Sequence, residues 1–328
     1  MNKASVVKSG AARAIPVSQI HEEWLGERRK GIGGSDAGAI LGLNPYKSAY
    51  TLWGEKIGMI PDEVPDNEAM RLGRDMEQYV AERFTEATGK KVQRSGYSFE
   101  STANPFMRAN VDRFLASENA GLECKTANAL THTDYEGGDI PPSYYAQCYH
   151  YMAVTGAAAW YIAILVMGKG FYWHKIERDE AEIEALISAE KDFWQLVQDR
   201  KPPALDGSDS TKESLMWRDE PLEPEDVVRD MEDLADLLEK RAKLDTEEKA
   251  LKELKAICDN QIRDAMGAYT KGKYENYSVT YKPRVTVTVN KRKLEQEFPE
   301  AWEECTSESP SRPLLIKKLK PKKERKTA

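Results

Sequence analysis

Residues 121–127 read Gly121-Leu122-Glu123-Cys124-Lys125-Thr126-Ala127 and have the composition of a short strand with a carboxylate and an ammonium at its centre. Alternate side chains on a strand share a face, so Glu123 and Lys125 lie together and Leu122, Cys124 and Thr126 lie opposite. The segment before it, Phe106 to Ala116, also has strand character, and Ser117-Glu118-Asn119-Ala120 joins the two as a hairpin turn. A turn centred between Ser117 and Glu118 makes Asp112 face Glu123. Two opposed carboxylates destabilise a hairpin unless something positive lies between them, and a hard divalent cation suits oxygen ligands. The neighbouring register instead faces Asp112 with Lys125 in an ordinary cross-strand ion pair, and the hairpin by itself leaves both open.

Helices and further strands surround this hairpin. After Arg28-Arg29-Lys30-Gly31-Ile32-Gly33-Gly34, Ser35 is a suitable N-cap with Asp36 in the first turn of a helix, which Asn44-Pro45 ends; Ser48 caps the next helix. Glu68 to Gly89 is amphipathic, with Leu72, Met76, Val80 and Phe84 as its stripe. Glu77 lies beside that stripe, and Gly73 one turn earlier permits a close approach. Val92 to Glu100 alternates weakly as a strand. Pro141-Pro142 opens a helix that runs to Gly156 and carries Gln147 and Tyr151. Two strands follow, Ala157–Met167 and Gly170–Glu177, then a helix from Asp179 to about residue 200. Helices on either side of a run of strands predict an α/β core.

Beyond Pro202-Pro203 the chain reads as a linker over residues 206–224, followed by an extension over 225–328. The extension opens with a long charged helix to about Met266. Its Leu237, Leu244, Leu251 and Cys258 recur every seven residues, but the companion positions Arg241 and Glu248 are polar, so the coiled-coil pattern is poor. A β pair, Tyr274–Lys282 and Val285–Asn290, a short helix around 294–304 and a basic tail complete it.

Composition limits the function classes. Of the 328 residues 40% are hydrophobic and 31% charged, which suits a chain with a true core. The longest apolar run, Ala157–Met167, is too short for a bilayer span, and the first twenty residues hold no apolar core of a signal peptide; a cytoplasmic protein is expected. The four cysteines and four histidines are scattered, which argues against zinc ribbons, iron–sulfur clusters and disulfide frameworks. The net charge of −7 argues against a general polyanion binder, although it averages an acidic stretch, 219–248, with the basic tail.

Five blocks in order carry a resemblance. Asp112 followed by Glu123-Cys124-Lys125 is similar to the D…(D/E)-x-K signature of the PD-(D/E)XK nucleases, although Val111 stands where the family name has proline. Glu77 in GRDME matches the helical acid that precedes it, and Gln147 with Tyr151 matches the Q-x-x-x-Y helix that follows. Residues 28–35, RRKGIGGS, with the following DAGAILGLNPYKS, resemble the opening of the YqaJ-type viral recombinases, relatives of the lambda-type phage exonuclease. The resemblance spans roughly residues 20–200. It implies a restriction-endonuclease-like core over residues 1–205, a central mixed sheet flanked by helices. The long helix and small β extension would lie C-terminal to it.

The implied activity is a 5′-to-3′ exonuclease on linear double-stranded DNA that uses two Mg²⁺ ions, with Mn²⁺ as a substitute, and leaves 3′ tails for phage-type recombination. Asp112, Glu123, Glu77 and the Cys124 carbonyl would hold metal. Lys125 would orient or deprotonate the attacking water or steady developing charge, with Gln147 beside it. Arg28 and Ser35 would hold the 5′-phosphate. The implied partners are DNA ends, a single-strand annealing recombinase and further copies of the chain in a ring trimer. A phage or prophage protein in the cytoplasm of a bacterial host is the implied setting. An endonuclease, or an end-processing nuclease of the same fold, is the alternative; the type with a cysteine cluster is disfavoured by the scattered cysteines. A non-catalytic DNA-binding protein is the other alternative.

Overall fold

The computed structural model describes residues 10–16, 26–61, 67–130, 133–218, 228–307 and 311–317. The chain divides into two units, Met1–Glu220 and Pro221–Ala328.

The first unit contains two sheets. Strands β1 (Ala12–Pro16), β2 (Ile32–Gly33), β4 (Tyr97–Ser101) and β5 (Met107–Asn110) form one in the order β1-β4-β5-β2. Strands β3 (Val92–Arg94), β6 (Arg113–Leu115), β7 (Ala120–Ala127), β8 (Ala159–Val166) and β9 (Gly170–Glu177) form the other in the order β3-β6-β7-β8-β9. The second sheet is mixed, because β7 and β8 run parallel while the other pairs are antiparallel. The α/β class with a mixed sheet between helices is therefore as expected.

Helix α1 spans Gly34–Ile40, α2 Ala49–Lys56, α3 Glu68–Thr88, α4 Pro142–Thr155 and α5 Glu180–Gln198. Their ends follow local chemistry. Ser48 caps α2 by accepting from Thr51 N at 3.0 Å, and Asp179 caps α5 through Ala181 N and Glu182 N. Gly89 and Gly156 close α3 and α4 at φ 70° and 71°, a left-handed region that glycine enters without steric cost.

The five-stranded sheet is covered on both faces. Along β8, Trp160, Ile162, Ile164 and Val166 join the core containing Met152 and Val154 of α4, whereas Ala159, Tyr161 and Ala163 join Val80, Ala81 and Phe84 of α3. A strand buried on both sides must be apolar at every position, which accounts for the long apolar run. Leu122 and Cys124 of β7 pack on the α3 side.

Several expectations are corrected. The two segments around the hairpin are not single strands: 92–100 divides into β3 and β4, and 106–116 into β5 and β6, each passing from one sheet to the other. Between the pair Arg94–Arg113 and the pair Ser98–Asn110, three residues on one strand oppose two on the other. An extra residue of this kind bends a strand pair and re-aims its side chains, and here the bend falls at Val111-Asp112. Strand β1 was not foreseen. Ser35 is not the N-cap of α1; Gly33 is, because Asp36 three residues on accepts the Gly33 N–H at 3.0 Å.

The stretch read as a linker over 206–224 carries helix α6 (Asp209–Arg218) as far as it is described, residues 219–224 lying outside. Its Ser/Thr-rich composition suggested a loop, but those hydroxyls dock it onto α2. Thr51 Oγ1 meets Ser210 Oγ at 2.6 Å and Ser214 Oγ at 2.7 Å, and Thr211 Oγ1 donates to Ser48 Oγ at 2.8 Å.

In the second unit a 3₁₀ turn, Glu232–Leu234, leads into α7 (Ala235–Met266), on which Leu237, Leu244 and Leu251 are exposed. A hairpin of β10 (Lys271–Tyr274) and β11 (Tyr277–Thr280) follows. The expected partner strand 285–290 is not paired: Val285 is 92% exposed, and β11 instead pairs with the segment before it. Two short helices, α8 (Lys291–Glu297) and α9 (Pro299–Cys305), replace the single one expected. Residues 318–328 of the basic tail, the opening nine residues and Trp24 lie outside the described residues. Among those described, no helix is long and apolar enough to cross a membrane.

The α6 contacts set a boundary that can be measured. A chain ending after Arg218 keeps the hydroxyl network; one ending after Pro203 loses it, at about 1 kcal/mol per buried hydrogen bond. The shorter fragment should unfold at a lower urea concentration. Equal midpoints would show that α6 does not belong to the folded unit.

Candidate active site

The hairpin register decides the geometry. Arg113 pairs with Leu122 and Phe114 with Gly121, so Asp112, one residue before this ladder, opposes Glu123. The register that would face Asp112 with Lys125 is not formed. Glu123 and Lys125 share the β7 face that looks onto α4. In the parallel ladder Glu123 is level with Ile162, which belongs to the core on that side.

Helix α4 brings Gln147 onto this face. Its Nε2 donates to Glu123 Oε1 at 2.7 Å and to Tyr151 OH at 2.8 Å, while its Oε1 accepts from Lys125 Nζ at 2.9 Å. Lys125 Nζ also contacts Glu123 Oε1 at 2.7 Å. The amide orientation is dictated by its neighbours, because the reverse would set its NH₂ against the ammonium and its oxygen against the carboxylate. Asp112 Oδ2 accepts from Cys124 N at 2.8 Å. Glu123 is only 4% exposed, and its Oε2 is buried without a hydrogen-bond partner among the described residues.

The charges respond to this crowding. Burial, then the Glu123 carboxylate, raises the Asp112 pKa well above the ordinary range, against the opposing pull of the Cys124 N–H. Burial would lower the Lys125 pKa, but Glu123 overcomes it and holds the amine protonated far above neutrality. Lys125 is therefore an ammonium while Glu123 carries no cation. Burial pushes the Cys124 thiol up as well, in keeping with its packing in the core.

One cavity of about 240 Å³ is lined by Asp112, Glu123, Gln147 and Tyr151 and also by Arg28, Ser35 and Arg108. Arg28 lies in a helical turn, residues 26–29, and its guanidinium is 3.4 Å from Ser35 Oγ and 3.6 Å from Asp36 Oδ1. Asp36 is buried and paired to Lys56 Nζ at 2.8 Å, and the same ammonium donates to the Arg28 carbonyl at 2.9 Å. Burial would raise the Asp36 pKa, but Lys56, Arg28 and the Gly33 N–H bring it down to about 2. The second glycine of the Gly33-Gly34 pair serves close approach: a Cβ on Gly34 would lie 2.5 Å from Tyr151 Cε1, so only glycine lets α1 reach the wall that holds Gln147.

Glu77 is not gathered with the other two acids. It sits on the α3 side, hydrogen-bonded to Arg113 and 3.1 Å from Arg94, although near enough to Asp112 to help raise its pKa. Among the described residues no group of three or more acidic, histidine or cysteine side chains is close enough to hold a metal ion. Arg113, Arg108, Lys56 and the buried role of Asp36 were missed in the sequence.

The YqaJ-like viral recombinase domain matches residues 23–158, a span that includes every residue named in the cavity. The uncharacterized protein YqaJ of Bacillus subtilis (strain 168) is 36% identical over 305 residues, covering 91% of this chain and 94% of that protein. The chain thus belongs to the YqaJ-like viral recombinase family. Among solved structures, it is similar to an alkaline exonuclease (LHK-Exo) from Laribacter hongkongensis. The identity is 21%, the TM-score 0.48, and the match spans 55% of this chain and 93% of that one. A phage-related exonuclease from Haemophilus somnus 129PT matches at 13% identity and a TM-score of 0.41, over 52% of this chain and 96% of its own.

The raised Asp112 pKa has a sign that stability measurements can read. The folded state binds this proton more tightly than the unfolded chain. The contribution therefore favours folding at pH below the unfolded carboxylate value, near ~3.9, and is lost as pH rises through the folded value. In a chelator, Asp112→Asn, which still accepts the Cys124 N–H, should raise the thermal midpoint at pH 8, and the gain should shrink toward pH 4. A variant less stable than the parent at pH 8, with no dependence on pH, would contradict the burial of an uncompensated charge.

Proposed function

We propose that the protein is a divalent-cation-dependent deoxyribonuclease acting at the 5′ ends of linear duplex DNA, and that the Asp112–Glu123 cleft is its active site. The observation that carries this reading is the buried, unpartnered Glu123 Oε2 beside a second carboxylate that burial and Glu123 hold toward its protonated form. Such a pair suits a hard cation, which would meet the orphan oxygen and relieve the repulsion. Asp112, Glu123 and the Cys124 carbonyl are the donors that fit. When bound, Mg²⁺ or Mn²⁺ would polarise the scissile phosphate and activate water.

The remaining work falls to the chain. Gln147 joins the Glu123 carboxylate and the Lys125 ammonium through its own hydrogen bonds to each. Lys125, held as a cation, orients the attacking water and offsets charge that develops on the phosphate. Arg28 and Ser35, which line the same cavity, grip a terminal 5′-phosphate, an interaction available only at an end, which would set polarity without reading sequence. The 3′ tails left behind suit a single-strand annealing partner in phage-type recombination, in the cytoplasm of a bacterial host. Assembly into a ring belongs to the same reading.

Digestion of end-labelled linear duplex with Mg²⁺ tests it. Lys125→Ala should cost at least about 100-fold in rate, the scale of a lost charge stabiliser. Parental rates in that variant would remove Lys125 from the chemistry. For end recognition, Arg28→Ala and removal of the 5′-phosphate should each cost roughly 10- to 100-fold, and the two losses should not multiply, because they delete one contact. Should Arg28→Ala prefer phosphorylated ends as strongly as the parent, the end-reading assignment fails.

A further inference from the structure

The sequence pattern offers Glu77 as a metal ligand, yet the structure engages it elsewhere. Arg113, on β6, is 2% exposed and forms a fork between two elements. Its Nη1 donates to the Asp112 carbonyl at 2.7 Å and also to Glu77 Oε1, and its Nη2 donates to Gln78 Oε1 at 3.1 Å. Asp112 stands where the strand crosses between sheets, two residues past the β4–β5 ladder and one before the β6–β7 ladder, so neither sheet fixes its peptide. Arg113 does so from the opposite face, and Glu77 in turn fixes Arg113. A buried guanidinium needs such an anion, because its own desolvation is costly and it cannot lose its proton.

We propose that Arg113 is a positioning residue that holds the Asp112 peptide at the bend, and that Glu77 acts through Arg113 rather than at the reacting phosphate. The inference rests on the reading of the Asp112–Glu123 cleft as catalytic. It assigns α3 a mechanical part: Glu77 and Gln78, consecutive on the helix, clamp one guanidinium and so tie the helix to the carboxylate that faces Glu123 across the hairpin.

A double cycle on the full chain tests this, with Glu77→Gln, Arg113→Met and the pair together. The rate on linear duplex in Mg²⁺ is measured at a temperature where each variant is folded. Each single change should lower kcat by roughly 10- to 100-fold, the range for groups that orient a metal-site ligand. KM for DNA should stay within about two-fold, because the loss concerns the chemical step. The pair should be no slower than Arg113→Met alone, because on this inference the contribution of Glu77 passes through the arginine. Arg113→Lys keeps the charge without the fork; it guards against misfolding of the methionine variant and should restore the thermal midpoint but not kcat.

Multiplying losses would overturn the inference, because Glu77 would then act independently of Arg113. So would parental kcat in Arg113→Lys. Asp112→Asn in the same assay separates the two levels of the argument. An active Asp112→Asn enzyme overturns the cleft reading and this inference with it. An inactive one, with multiplying Glu77 and Arg113 losses, overturns this inference alone.

Discussion

Everything in the candidate site depends on the pairing register of one short hairpin. Arg113 opposite Leu122 fixes Asp112 opposite Glu123, and a slip of a single residue would send every side chain of β7 to the other face. The register is held because the alternating faces of β7 are so different. Leu122 and Cys124 belong in the apolar layer under α3, and Glu123 and Lys125 meet Gln147 on α4. The hydrophobic side thus enforces an electrostatically unfavourable arrangement on the polar side. Folding energy from the core keeps two carboxylates together where, among the described residues, only one of their four oxygens is paired to a backbone N–H.

The surrounding elements make sense as supports for that arrangement. The bend between the two sheets lifts Asp112 out of both ladders, and Arg113 steadies it from the far side. Gln147 reads the signs of its two charged neighbours and locks them. Gly34 lets α1 lie against Tyr151, which brings Arg28 and Ser35 to the same cavity as the acids. Residues nearly a hundred positions apart in the chain line one small space because a glycine permits a backbone to approach an aromatic ring. Lys56 and Asp36 form a buried pair behind Arg28, so its reach into the cavity rests on an anchored base.

Much of this was legible in the chain. Caps and stripes gave α2, α3, α4 and α5, because local chemistry determines where a helix begins and ends. Hairpin symmetry offered the opposed carboxylates as one of two registers. The rest lacked a local signal. Transfer of strands between sheets depends on one extra residue whose effect is set by packing. Helix α6 is built from serines and threonines that read as loop until Ser48 and Thr51 are placed opposite them. The valine-rich run 285–290 has strand propensity but no partner beside it, since propensity does not create a ladder. Glu77 resembled a ligand by its place in an ordered pattern; its engagement with Arg113 could be seen only once β6 and α3 were brought together.

The central claim is that the Asp112–Glu123 pair is built to hold a divalent cation. Anomalous diffraction from a crystal grown with Mn²⁺ tests it most directly. The account predicts an anomalous peak between the two carboxylates, with carboxylate oxygens at about 2.0–2.2 Å, the contact distance of a small hard cation, and Glu123 Oε2 among them. A fully occupied Mn²⁺ elsewhere on the protein, with Glu123 still joined only to Lys125 and Gln147, would contradict it.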